Sequence, residues 1–169
     1  LYGFHLSKDE IVKADQVVVV EGYMDLIMPF AAGVRNLVAS LGTALTVEQI
    51  RLLRRFTRNV VMLYDADPAG ESAMNRSLDL LIDEGMNVRV ASLPDNEDPD
   101  SYVRQCGAEE FRKRIQEAKT VVDFKIDFLT GRYDVKTVEG RSRVAAEMLP
   151  TVRRFQDPIA STEALRKLA

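Results

Sequence analysis

Up to Gly107, short unbroken apolar runs alternate with longer stretches of helical spacing; beyond it only the helical spacing is left. Val17 to Glu21 reads VVVVE and Asn59 to Tyr64 reads NVVMLY. Runs this short, β-branched and without polar alternation predict strands covered on both faces, the habit of parallel sheets. Asn36 to Ala39 and Asn87 to Leu93 are weaker examples of the same pattern.

Between the strands the spacing predicts helices over Met24 to Ala32, over TVEQIRLLRRF from Thr46, and over Glu71 to Asp83, with Gly33 and Gly85 as stops. Pro29 must be tolerated within the first or kink it. Thr46 is a cap; Glu48, two positions on, does not complete a capping box. A turn-rich acidic loop, Pro94 to Pro99, precedes a short helix around Ser101 to Gln105. Strands alternating with helices call for right-handed crossovers. The expected fold is therefore α/β, a mainly parallel four-stranded sheet flanked by helices over residues 1–107. A small helical subdomain follows over residues 108–169, with helices at Ala108 to Ala118, Val121 to Leu129 and Glu139 to Arg154, Gly131 and Gly140 as breaks, and Pro150 as a disturbance. A last helix runs from Ser161 to Ala169, capped by Ser161 or Thr162.

With 169 residues, 46% of them apolar, the chain can bury one good core. No apolar run approaches the roughly 18 to 20 residues of a membrane span, and no cleavable signal is visible, so a cytoplasmic location away from membranes is expected. The start without methionine and the end inside a helix suggest a fragment of a longer chain. Cys106 and His5 each stand alone, which leaves neither a disulfide, nor a thiolate zinc site, nor a catalytic triad within this chain. Cys106 is expected to be a half-buried filler. Any catalysis must rest on carboxylates.

Those carboxylates are unevenly placed. Residues 1–107 hold 10 Lys or Arg against 16 Asp or Glu, whereas residues 108–169 hold 13 against 10. In an open parallel sheet, ligands bind beyond the C-terminal strand ends. Glu21 and Asp25 follow the first strand, Asp65 and Asp67 the third, and Asp95, Glu97, Asp98 and Asp100 the fourth. A crowded set of carboxylates repels itself unless a cation neutralises it, and all-oxygen donors suit magnesium or manganese. Singly, each has an ordinary alternative; Asp67-Pro68 and Asp98-Pro99 are both good helix starts. Gly22 and Gly70 lie in no glycine-rich phosphate loop. Arg51, Arg54, Arg55 and Arg58 form a basic run that is either a solvated face or a contact for a template backbone.

The motifs EGYMD (Glu21 to Asp25), SLGT (Ser40 to Thr43), YDAD (Tyr64 to Asp67) and EDPDS (Glu97 to Ser101) together resemble the Toprim domain of DnaG-type bacterial primases, in order and spacing. LYGFHLSK resembles that family's lead-in, and the helices after Gly107 its adjoining helical part. Ala66 departs from the glycine common between the two aspartates. The resemblance implies that Glu21, Asp65 and Asp67 are the principal ligands of Mg2+, for which Mn2+ can substitute, with Asp25, Asp98 and Asp100 completing the site. It implies nucleotidyl transfer: joining ribonucleoside triphosphates into an RNA primer on single-stranded DNA. It also implies a replicative helicase as partner, through a domain expected to be absent from this chain. Without the family's zinc-binding and basic N-terminal parts, the fragment is expected to synthesise little or no primer alone. Rival readings are another Toprim phosphoryl-transfer protein, such as an OLD-type nuclease, a topoisomerase or a primase-helicase, or a scaffold that binds nucleic acid without catalysis.

Overall fold

The computed structural model describes residues 1–42, 44–64, 68–94 and 97–168, without the side chains of residues 64 and 68–73. The chain divides into two compact units, Leu1–Ala118 and Lys119–Ala169.

The first unit is built on parallel strands β1 (Val17–Val20), β2 (Leu37–Ala39), β3 (Asn59–Tyr64) and β4 (Asn87–Ser92). Val18 pairs with Leu37 on one side and Val61 on the other, and Val60 with Val88. Among the described residues the sheet has five strands, in the order β2-β1-β3-β4-β5. The fifth strand, beyond the four expected, is β5 (Lys119–Thr120), whose two exposed residues are too few to show a period. The four valines of β1 are at most 1% exposed. At about 1.5–3 kcal/mol for each fully buried aliphatic side chain, this strand is a large part of the drive to fold.

Helices cover both faces. Val18 and Val20 join Leu26 of α2 (Tyr23–Ala31) and Val103, Phe111 and Ile115 of α5 (Pro99–Gln116) in one buried cluster. Val17 and Val19 point the other way by strand alternation. Ile50 and Leu53 of α3 (Val47–Arg54) and Leu78 and Leu81 of α4 (Pro68–Asp83) are fully buried. Pro29 is accommodated inside α2. The boundary expected at Gly107 moves to Ala118: Gly107 does break α5 (φ 81°), but Phe111 and Ile115 beyond it belong to the sheet's own core.

Several local expectations are corrected. Residues 4–14 form a helix, α1 (Phe4–Ala14), that the sequence does not announce, because it buries only Ser7 and Ile11. Thr46 has a full capping box, completed by Gln49 rather than Glu48: Thr46 N–H donates to Gln49 Oε1 at 3.0 Å and Gln49 N–H to Thr46 Oγ1 at 3.3 Å. Cys106 is exposed.

The second unit holds α6 (Val121–Arg132), α7 (Val138–Val152) and α8 (Pro158–Leu168). Gly131 and Gly140 lie inside α6 and α7 rather than breaking them. Pro150 sits inside α7, and α8 begins at Pro158, before the expected Ser161. Lys167 of α8 reaches Asp123 of α6 at 2.6 Å, which together with the Thr120 hydroxyl holds that carboxyl below the usual range.

Candidate metal centre

The strand order determines where chemistry can gather. Chain passes from β1 out to β2, then back over β1 to β3, so the direction of winding reverses between β1 and β3. A crevice at the C-terminal ends of two such strands is the usual ligand position in doubly wound sheets. Glu21 leaves β1 there, half-buried, and its carbonyl accepts the Leu41 N–H at 2.9 Å, which seats Ser40 and Leu41 on this edge. Leu41 and Gly42 are both left-handed, at φ 65° and 74°; for a leucine this is an uncommon, strained conformation of the kind concentrated at functional sites.

Asp25 stands at the third position of α2. Its Oδ2 accepts the Gly22 N–H at 2.7 Å, closing the turn that carries the chain from β1 into the helix. Burial raises its pKa above the usual carboxylate range, the Gly22 N–H opposes this, and the charges of Asp98 and Asp100 raise it further. The structure therefore brings Asp25, Asp98 and Asp100 within electrostatic reach of one another, across a sequence separation that no local pattern encodes.

Asp98 and Asp100 also have structural duties. Asp98 caps α5, accepting the Ser101 N–H at 2.7 Å ahead of Pro99 in the first turn, as the helix-start alternative expects. Asp100 pairs with Arg104 one turn on, at 2.6 Å. Glu97, beside them, has a buried Oε2 that finds no hydrogen-bond partner among the described residues. Among the described residues no group of three or more metal-ligating side chains converges. Asp65 and Asp67, like Asp95, lie outside the described residues, so Asp25, Asp98 and Asp100 can be assessed only as part of a set.

The donor chemistry fits a hard divalent cation. All the candidates offer carboxylate oxygen, Asp25 is pressed toward protonation by burial and by two like charges, and the Glu97 oxygen is buried with no proton donor among the described residues. A cation would relieve both conditions.

The basic run takes a different form. Arg51 and Arg54 turn onto one carboxylate, Glu84, at 2.9 and 3.7 Å, and with Arg55 they line a shallow hollow. They occupy the last turn of α3, which leads into β3, and so lie at the N-terminal edge of the sheet, away from Glu21.

Residues 18–103 match the Toprim-like family model, and residues 122–169 match the model for the DnaB-helicase binding domain of primase. The second match overturns the expectation that a helicase-binding part is absent from this chain; the helical pattern alone had no feature that distinguished a docking module from a packing one. The DNA primase of Halalkalibacterium halodurans is 39% identical over 170 residues, covering all of this chain and 28% of that protein. The DNA primase of Escherichia coli K12 is 37% identical over 155 residues, covering 90% and 27% respectively. A DnaG primase catalytic domain solved bound to single-stranded DNA aligns with a TM-score of 0.84 and 34% identity, over 99% of this chain and 55% of that one. A DNA primase domain from Pseudomonas aeruginosa gives 0.85 and 34%, over 99% and 54%. Because these catalytic structures cover nearly the whole chain, the helices after Ala118 have counterparts in them as well. The chain spans little more than a quarter of the length of the curated primases it matches; by its fold, its acidic motifs and the family model over half its length, it belongs to the Toprim-like family and is homologous to the catalytic core of bacterial DnaG primases.

Proposed function

We propose that this chain is the metal-binding segment of a DNA primase, which joins ribonucleoside triphosphates into RNA primers on a single-stranded DNA template. The observation that carries the reading is the coupling of Asp25 to Asp98 and Asp100 beside the chain that leaves β1 at Glu21, at the sheet edge where the winding reverses between β1 and β3; in sequence, Asp65 and Asp67 follow β3 directly. The relatives catalogued as primases, and the related catalytic domain bound to single-stranded DNA, support the substrate class.

In this reading Glu21, Asp65 and Asp67 are the principal ligands of Mg2+, or of Mn2+ in its place. Asp25, Asp98 and Asp100 complete the set, each keeping a carboxylate oxygen beyond the one used for its structural bond. Bound there, the divalent ion supplies charge neutralisation for the phosphates as the bond at the α-phosphate is exchanged. The protein's own part is orientation. The Gly22 N–H fixes Asp25, the Ser101 N–H fixes Asp98, and Arg104 fixes Asp100, so these oxygens are held before any substrate arrives. The match over residues 122–169 adds a second role, contact with the replicative helicase through α6 to α8.

Calorimetric titration of the chain with Mn2+, beside the double variant Asp65→Asn/Asp67→Asn and with circular dichroism to confirm folding, tests the first role. Divalent binding lost in a still-folded variant is the expected result. Equal binding by both, or none by either, would sink the metal reading and favour a nucleic-acid-binding scaffold.

A further inference from the structure

The acidic edge carries an aromatic pair to which the chemistry above gives no work. Tyr2 is clamped to the end of β2 by two backbone hydrogen bonds: its N–H donates to Ala39 O at 3.0 Å, and its carbonyl accepts the Ala39 N–H at 3.1 Å. Gly3, left-handed at φ 76°, lies so close to α2 that a Cβ there would meet Leu26 Cδ1 at 2.5 Å. Tyr23 is the first residue of α2, two positions after Glu21 and two before Asp25. The two rings meet edge-to-face with centroids 4.7 Å apart and planes at 81°.

Both rings are displayed to solvent, Tyr2 at 37% and Tyr23 at 54% exposure. An edge-to-face contact covers at most one face of either ring. Among the described residues neither phenol hydroxyl has a hydrogen-bond partner, whereas Tyr102, a core residue at 2% exposure, accepts from Arg114 Nε at 3.0 Å. Aromatic rings kept for packing are normally buried, since burial is where their large apolar area contributes. Here one backbone bridge of two hydrogen bonds and a helix start hold them outward, on the same edge as the carboxylates. The ligand this combination fits has a flat π-face and, a few ångströms away, phosphates that share a divalent ion with carboxylates.

We propose that Tyr2 and Tyr23 form a base-stacking subsite for a nucleotide whose phosphates lie at the acidic edge. Tyr23 offers the ring face, and Tyr2, fixed by its ladder to Ala39, sets the ring's angle. Because the rings are pre-ordered, little side-chain entropy is lost on binding. Stacking is indifferent to which base is present, so the subsite improves affinity and orientation without selecting sequence. The proposal rests on the metal-binding reading for its phosphate end and on nothing but the rings for its base end.

The test titrates the chain with ATP, with inorganic triphosphate and with Mn2+ alone, the first two in the presence of Mn2+, for the unsubstituted protein, Tyr23→Leu, Tyr23→Phe and Tyr2→Leu. The unsubstituted protein is expected to prefer ATP over triphosphate. Tyr23→Leu loses about 5- to 150-fold in ATP affinity with triphosphate unchanged, Tyr23→Phe keeps most of the preference, and Mn2+ binding is the same in all four. A parallel arm without metal compares an oligothymidylate with an abasic oligomer of equal length, so absence of Mn2+ binding, which would refute the metal reading, leaves the stacking claim measurable. Equal affinity for base-bearing and base-free probes in both arms overturns the proposal and assigns the rings to a protein neighbour. Parallel loss of both probe types in Tyr23→Leu overturns it too, in favour of a local packing role.

Discussion

Gly140→Ala separates helix propensity from packing, because the two give opposite signs. Gly140 lies in the first turn of α7, and on propensity alone alanine should stabilise a helix by about 1 kcal/mol. A Cβ at this position, however, would sit 1.9 Å from the Asp134 carbonyl oxygen and 2.6 Å from its carbon. That carbonyl cannot simply swing aside, since it accepts both the Thr137 N–H at 3.1 Å and the Thr137 hydroxyl at 2.8 Å, and Thr137 Oγ1 in turn caps α7 by accepting the Gly140 N–H at 3.0 Å. Relieving the overlap breaks two or three hydrogen bonds worth about 1 kcal/mol each. Set against the propensity gain, the net is a loss of about 1–2 kcal/mol, or about 2–8 °C in the unfolding midpoint. Circular dichroism melts give the midpoint, and amide exchange localises the effect to residues 134–152. An unchanged or raised midpoint would refute the close approach and return Gly140 to the status of an ordinary helix residue.

Asp25→Asn tests the electrostatic side of the site. Folding raises the Asp25 pKa, chiefly by burial, so the native state binds this proton more tightly than the unfolded chain, and the ionised carboxylate weakens stability as pH rises through that window. The variant, whose amide oxygen still accepts the Gly22 N–H, is therefore expected to melt higher than the unsubstituted protein at neutral pH and equally in acid; a lower midpoint at pH 7 contradicts the assignment. Saturating Mn2+ reverses the order by stabilising only the unsubstituted protein, by about 2.7 kcal/mol at one hundred times the dissociation constant. Asp98 separates cap from ligand: Asp98→Ala loses about 1 kcal/mol of helix capping, Asp98→Asn keeps the cap, and both lose divalent affinity. Calorimetry and melts of the pair would exclude the ligand role if Asp98→Asn bound Mn2+ as the unsubstituted protein does.

The local pattern carries most of the fold. VVVV and NVVMLY, short and β-branched, predict strands covered on both sides, and the alternation with helices calls for the parallel crossovers observed. What the pattern misses is tied to long-range packing. Helix α1 has no apolar stripe because Ser7 and Ile11 alone face inward, and β5 has two exposed residues with no period to read. Gly140 suggests a break to any local rule, but the carbonyl of Asp134, in the turn that leads into the same helix, occupies the space of its side chain.

The site divides along the same line. That Glu21, Asp25, Asp98 and Asp100 follow strand ends, within one to eight residues, was legible, a relation fixed by short stretches of chain. Their mutual pressure on Asp25, the duties of Asp98 as a cap and Asp100 as a partner for Arg104, and the meeting of Tyr2 with Tyr23 were not legible. Sequence determined the elements because strand and helix depend on burial and backbone preference among near neighbours. Tertiary structure alone decided which elements lie side by side, because the order β2-β1-β3-β4 is a property of how whole faces are covered.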